Sequence, residues 1–257
     1  MNGSITKWYK FIAISLVISM TSCAKKVWQV TDADTSYYRF DDKLDLSADQ
    51  SVDDIIKPYK AKLDAEMNEV IGEVAHEMSK RLPESTLGNF VAELLKDQTE
   101  LIIGDSLDFA MQNHGGLRIS SLAKGPISRG KVFELMPFDN MLVVITADGK
   151  IIKKLFDVIA YKGGWPMTDD IKLTIKDTIA TEILIHGQPI DDDKLYKFAI
   201  NDYIANGGDN CDFLQEGKVE TLNITVRDAI IDYLERTKGT KHSSKITGRV
   251  KRSNDNK

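Results

Sequence analysis

Three segments of the chain concentrate residue types able to hold a small polar molecule. Asn113-His114-Gly115-Gly116-Leu117-Arg118 follows an apolar run. Its paired glycines permit a tight turn with outward-facing backbone amides, and its guanidinium adds a planar donor fork suited to phosphate or carboxylate. Met136-Pro137-Phe138-Asp139-Asn140 sets an aromatic among polar residues, with proline fixing the entry to the turn. Asn201-Asp202-Tyr203-Ile204-Ala205-Asn206-Gly207-Gly208-Asp209 carries a carboxylate on a second glycine turn, shortly after an aromatic. An acid so placed suits a sugar diol, and an exposed aromatic suits stacking on a planar base. Each segment also has a plainer explanation: Asx and glycine residues favour turns for local reasons, and on sequence alone Phe138 is better suited to folding back onto a sheet. Taken together, the segments offer one cation, two flat faces and one acid. Those are the parts needed to hold a nucleotide.

The order of these motifs resembles the C-terminal domain of 5′-nucleotidases, a family that includes periplasmic UDP-sugar hydrolases and 2′,3′-cyclic nucleotide phosphodiesterases. Arg81-Leu82-Pro83-Glu84-Ser85-Thr86-Leu87-Gly88-Asn89 is similar to that family's Glu-X-X-Leu-Gly-Asn segment, and Ile246-Thr247-Gly248-Arg249-Val250 looks like its last strand. The resemblance runs from about Met78 to Val250 and implies a role for each matched residue. Arg118 contacts phosphate, helped by Arg81. Asn113 bonds the base, Phe138 and Tyr203 sandwich it, and Asp209 accepts from the ribose hydroxyls. His114 stands where many members have glycine, and Tyr203 where many have phenylalanine.

The elements that must position these residues are legible in part. Ser51, Asp53 and Asp54 suit a helix start, and Leu63, Met67, Val70, Ile71, Val74 and Met78 recur at helical spacing as a core-facing stripe. A second helix is expected from Ser85 to Asp97, with a short apolar run at 101–103 and a buried strand over 105–111. Met141 to Thr146 is the clearest strand, followed by an Asp148-Gly149 turn and a helix near 151–160. Strands are expected at 171–175, 181–185 and 196–201, and a helix from Val226 to Arg236. Helices and strands interleave irregularly, which gives one domain of α/β or α+β class, helices layered on a mixed β-sheet, over residues 51–250. The polar tail from 251 to 257 is expected to be disordered.

The chain begins with Lys7 and Lys10, an apolar run from Phe11 to Met20, and then Thr21-Ser22-Cys23. That is the pattern of a secretory signal over residues 1–22, with an apolar run short of the about 20 residues of a membrane span. Cysteine after the small pair resembles a bacterial lipobox, so Cys23 is expected to carry the lipid and residues 23–50 to form a tether. A plain signal peptide cut nearby is the alternative. The lipoprotein reading puts the protein in the bacterial cell envelope, periplasmic or surface-facing, held to a membrane by acyl chains.

Among 257 residues there are 34 basic and 39 acidic side chains, a net charge of −5, which argues against a nucleic-acid partner. Two cysteines and four histidines are too few for a zinc framework, and no pair has ligand spacing. Full-length members of the resembled family are hydrolases because a separate N-terminal domain holds two metal ions in Asp-X-His, Gly-Asn-His-Asp/Glu and Gly-His-X-His motifs. None of these occurs here, so no cofactor or metal is expected in this chain. The expectation is a substrate-recognition half that works with a separate metallophosphatase polypeptide carrying divalent metals. A membrane-tethered nucleotide- or nucleoside-binding lipoprotein without a catalytic partner is the second reading. An independent hydrolase using Glu84, Asp105, Asp108 or Asp209 is the third.

Overall fold

The computed structural model describes residues 50–253. Cys23, the signal segment and the tether lie outside the described residues. In chain order the elements are α1 (Gln50–Met67), β1 (Val70–Val74), β2 (Met78–Ser79), α2 (Thr86–Ile103), β3 (Phe109–Ala110), β4 (Ser121–Leu122), β5 (Gly125–Ser128) and α3 (Arg129–Leu135). There follow β6 (Met141–Asp148), α4 (Gly149–Tyr161), β7 (Ile171–Lys176), β8 (Ile179–Ile185), β9 (Gln188–Pro189), β10 (Leu195–Asn201) and α5 (Asp202–Ala205). The last are β11 (Lys218–Thr225), α6 (Val226–Arg236), β12 (Lys241–His242) and β13 (Val250–Arg252). The class is the expected mixed α/β.

The central sheet has the order β11-β6-β10-β3, with β11 and β10 antiparallel to β6 and β3 parallel to β10. Met141 to Thr146 is almost continuously apolar because this sheet is covered on both faces. Strand periodicity sends Leu142 and Val144 to one side, where they pack with Leu94, Val226 and Ile230 of α2 and α6. Val143, Ile145 and Ala147 go to the other, against Ile152, Leu155 and Phe156 of α4 and Leu173 of β7. Phe109 and Phe198 stack at 4.8 Å across the β3–β10 pair. A second sheet, β13-β7-β8-β9, flanks α4, and β1 pairs with β5 and β12 in a third.

The helix starts are capped as their sequences suggest. Ser85 accepts from the Gly88 amide, Asp148 from Ile151 and Thr225 from Asp228. The α2 helix extends past Asp97, absorbs the apolar residues at 101–103, and ends at Gly104 in the left-handed conformation (φ 66°). The helix expected to carry a core stripe to Met78 instead stops at Met67. Val70, Ile71 and Val74 are β-branched, and with Gly72 they enter β1, whose hydrogen bonds go to β5 and β12. A 3.6-residue period and a strand coincide over so short a run. The α1 helix is itself not core: Tyr59 is 76% exposed and Leu63 55%. Only 109–110 of the segment at 105–111 form a strand, and the last strand runs on to Arg252.

His242 is buried beside Phe90 and Tyr233, with ring centroids 5.4 and 5.6 Å away, and its Nε2 lies 3.2 Å from the Thr237 hydroxyl. Burial lowers its pKa below the ordinary 6.5. The unfolded chain therefore binds a proton that the folded one resists, so this contribution is complete above pH 6.5 and is lost as pH falls through the folded pKa. Stability from chemical unfolding is expected to fall between pH 7 and pH 5, with a slope from this residue of at most about 1.4 kcal/mol per pH unit. His242→Phe should flatten that limb, leaving the share of His114, whose pKa is lowered in the same direction. An unchanged slope would show that His242 does not titrate with folding.

Candidate functional site

The topology brings the three glycine- and proline-shaped loops to one end of the central sheet. β3 and β10 run parallel, so the segments leaving both emerge at the same end. β6 is antiparallel to β10 with Leu142 opposite Asn201, so the loop entering β6 opens there too. Residues 113–118, 137–140 and 202–209 therefore meet although distant in sequence. Ligands in open α/β sheets gather at such carboxyl ends.

A buried amide network ties the first loop to the third. Asn201 Nδ2 donates to Gln112 Oε1 (3.0 Å) and to Asn113 Oδ1 (3.0 Å), and Gln112 Nε2 donates to Asn113 Oδ1 (3.1 Å). Asn201 Oδ1 accepts from the Ile204 amide, capping α5. The Asn113 Nδ2 donates to Asp209 Oδ2 (3.2 Å). Gly116 belongs to this network by its lack of a side chain: a Cβ there would lie 2.2 Å from Gln112 Nε2.

The network borders an open cavity of about 260 Å³, just under the lower end of small-molecule pockets at about 300 Å³. Asn113, Arg118, Phe138, Tyr203 and Asp209 all line it, with Gly115, Gly116 and Asn140. Phe138 is 41% exposed and Tyr203 48%, so neither aromatic is folded into the core. Arg118 donates to the Gly115 carbonyl at 3.4 Å, and its guanidinium carbon stands 5.6 Å from the Phe138 ring centre. Arg81 is exposed and is not part of the lining. The second cation at this end is Lys80, whose Nζ donates to the Leu117 carbonyl at 2.6 Å. Burial and the neighbouring Arg118 charge lower the Lys80 pKa. His114 Nδ1 is buried without a partner, and burial and Lys80 keep its pKa low, so its imidazole is neutral at pH 7.

Supports absent from the sequence reading hold the walls. Arg227, at the start of α6, donates to Asp139 Oδ1 (2.5 Å) and to the Phe138 carbonyl (3.3 Å), while the Val226 amide donates to the Asn140 carbonyl (2.8 Å). On the opposite side Lys162 Nζ donates to Asp209 Oδ1 at 3.1 Å. Asn140, which ends the Pro-Phe-Asp-Asn motif, lines the cavity as well. The sequence carries no signal for either Lys162 or Arg227, whose partners lie far along the chain. Cys211 is fully buried, and burial followed by the Asp209 carboxylate pushes its thiol up to about 12, leaving it inert as a nucleophile.

Gly208 sets the Tyr203 wall. A Cβ at position 208 would lie 2.5 Å from the Tyr203 carbonyl and 2.6 Å from its ring carbons. Gly208→Ala should therefore displace the aromatic, and the base stacking that the resemblance implies at this ring should weaken about tenfold, the worth of one stacked face at about 1.4 kcal/mol. Titration with adenosine monophosphate checks this, and undiminished affinity would show that the ring contributes no stacking.

The chain matches the 5′-nucleotidase, C-terminal domain family over residues 70–216, more than half its length. It belongs to that family. Protein UshA of Yersinia enterocolitica is 29% identical over 212 residues, covering 79% of this chain and 36% of that protein. A 5′-nucleotidase of Vibrio parahaemolyticus is 25% identical over 202 residues, covering 74% and 35%. The chain thus spans about a third of the length of these curated relatives. The crystal structure of a 5′-nucleotidase precursor from Thermus thermophilus superposes with a TM-score of 0.68 at 26% identity, covering 80% of this chain and 43% of that one. The NAD nucleotidase of Haemophilus influenzae shares the fold, with a TM-score of 0.61 at 19% identity. Among the described residues no group of three or more His, Cys, Asp or Glu side chains is arranged to hold a metal ion. No helix among them is long and apolar enough to cross a membrane.

Proposed function

We propose that this 5′-nucleotidase C-terminal domain is the nucleotide-recognition half of a phosphoester hydrolase, with the hydrolytic step supplied by a separate metallophosphatase polypeptide that carries the divalent metals. The observation that carries this reading is the convergence of Arg118, Phe138, Tyr203 and Asp209 on one open cavity. The base enters between Phe138 and Tyr203, each face contributing about 1–3 kcal/mol. Asp209 accepts from the ribose hydroxyls, and Arg118 meets the phosphate, with Lys80 adding charge behind it. The Asn113 Oδ1 accepts from Gln112 and Asn201, and one N–H of its Nδ2 is given to Asp209, which leaves its second N–H to bond the base. The Asn140 amide, on the same lining, is a second group able to read the base edge.

The chain's own contribution to the reaction is thus binding and orientation. It holds base and sugar against the Phe138 and Tyr203 rings and presents the phosphoester outward at the Arg118 end, open to a second protein. Lipidation of Cys23 would hold it on a membrane of the bacterial cell envelope beside that protein.

Reconstitution tests the reading. A nucleoside monophosphate mixed with this chain and a one-domain metallophosphatase from the same genome should release phosphate, while either protein alone should be nearly silent. Equal release with and without this chain would overturn the catalytic partnership. Nucleotide binding by this chain in that case would favour a tethered binding lipoprotein.

A further inference from the structure

We propose that Lys162 is a positioning residue of the ribose subsite: it holds the Asp209 carboxylate so that a vicinal diol finds two free acceptor sites. The inference rests on the nucleotide-recognition reading above. An ionised carboxylate offers about four lone-pair sites. The protein takes one on each oxygen, Lys162 Nζ on Oδ1 at 3.1 Å and Asn113 Nδ2 on Oδ2 at 3.2 Å. Two sites remain, one per oxygen, which matches the two hydroxyls of a ribose.

Both partners are held on rigid supports. Asn113 belongs to the buried amide network. Lys162 ends α4, its amide donating to the Val158 carbonyl at 3.0 Å. The chain after it turns through Gly163 and Gly164 at φ 86° and 117°, and a Cβ on Gly164 would lie 2.3 Å from the Pro83 carbonyl. Asp209, by contrast, sits on backbone that needs holding. It is a non-glycine residue at φ 56°, between Gly208 and Asn210 at φ 69°. Its carboxylate is the one anion on the cavity lining among the described residues, and its side chain is only 24% exposed. Without the ammonium only Asn113 would hold it, by one oxygen, and the carboxylate would pivot about that single bond and lose the two-point geometry.

The test separates this role from general support of the fold. Affinities for adenosine monophosphate and its 2′,3′-dideoxy analogue are measured by calorimetry for the full chain, Lys162→Gln, Lys162→Arg, and both substitutions combined with Asp209→Asn. Lys162→Gln should weaken the ribonucleotide about three- to fivefold, the worth of a partly exposed ion pair, and leave the dideoxy analogue unchanged. Lys162→Arg should restore most of the loss, and in the Asp209→Asn background the glutamine should add nothing. An equal loss for both ligands, or no loss for the ribonucleotide, would overturn the assignment while leaving the recognition reading in place. Failure of the unsubstituted chain to bind either nucleotide would overturn that reading and this one together.

Discussion

Replacing Glu84 by alanine should destabilise the domain by about 3 kcal/mol and lower its melting temperature by about 6–12 °C for about 200 residues. Glu84 is the acid of the Glu-X-X-Leu-Gly-Asn segment, and it works as a clamp on the far end of the chain. Its Oε1 accepts from the Thr247 amide (2.9 Å) and from Asn89 Nδ2 (2.7 Å). Its Oε2 accepts from the Gly248 (2.9 Å) and Arg249 (3.1 Å) amides. Three successive backbone N–H groups facing one carboxylate form a nest, and charge-assisted bonds of this kind contribute about 1.5–3 kcal/mol each when desolvated. Glu84 is half-buried, which scales the total down. Asn89 also donates to the Lys245 carbonyl, so the segment is stapled at both ends before β13 joins β7. Glu84→Gln keeps one acceptor and should recover about half the loss. Thermal and urea unfolding measure it, and hydrogen exchange at residues 247–249 should accelerate first. A melting temperature within 2 °C of the unsubstituted chain would mean that the clamp adds no net stability.

Asp209→Ala carries the largest expected effect on binding, a loss of about 2–3 kcal/mol for a nucleoside monophosphate, or about 30- to 150-fold in Kd. The substitution removes both acceptors for the ribose. It also strands the Lys162 ammonium and the Asn113 amide, which must find water instead. Asp209→Asn should fall between, keeping one acceptor oxygen and losing the charge. Calorimetric titration with adenosine monophosphate checks both. The loss should shrink several-fold for a 2′,3′-dideoxynucleotide, which has no diol to lose. A change under threefold for the ribonucleotide would show that Asp209 does not receive the sugar.

Local rules carried the reading of the elements where neighbours in sequence are neighbours in space. The α6 helix from Val226 to Arg236 and the apolar β6 strand both follow from spacing within one element. The same rules misread Val70 to Met78. Over nine residues an apolar pattern fits helix and strand alike, and pairing with β5 and β12 decided it.

The cavity divides along the same line. Residue type and turn chemistry picked out Arg118, Phe138, Tyr203 and Asp209 from the chain alone, because a cation, two aromatics and an acid on glycine and proline turns are unusual together. That they face one another was decided by strand order, with β3 parallel to β10 and β10 antiparallel to β6. Lys162, Arg227 and the Glu84 clamp were legible only in the folded chain. Their partners lie 47, 88 and about 163 positions away, and a single sequence records local preference, whereas hydrogen bonds between distant segments exist only once packing has brought both donors and acceptors to the same place.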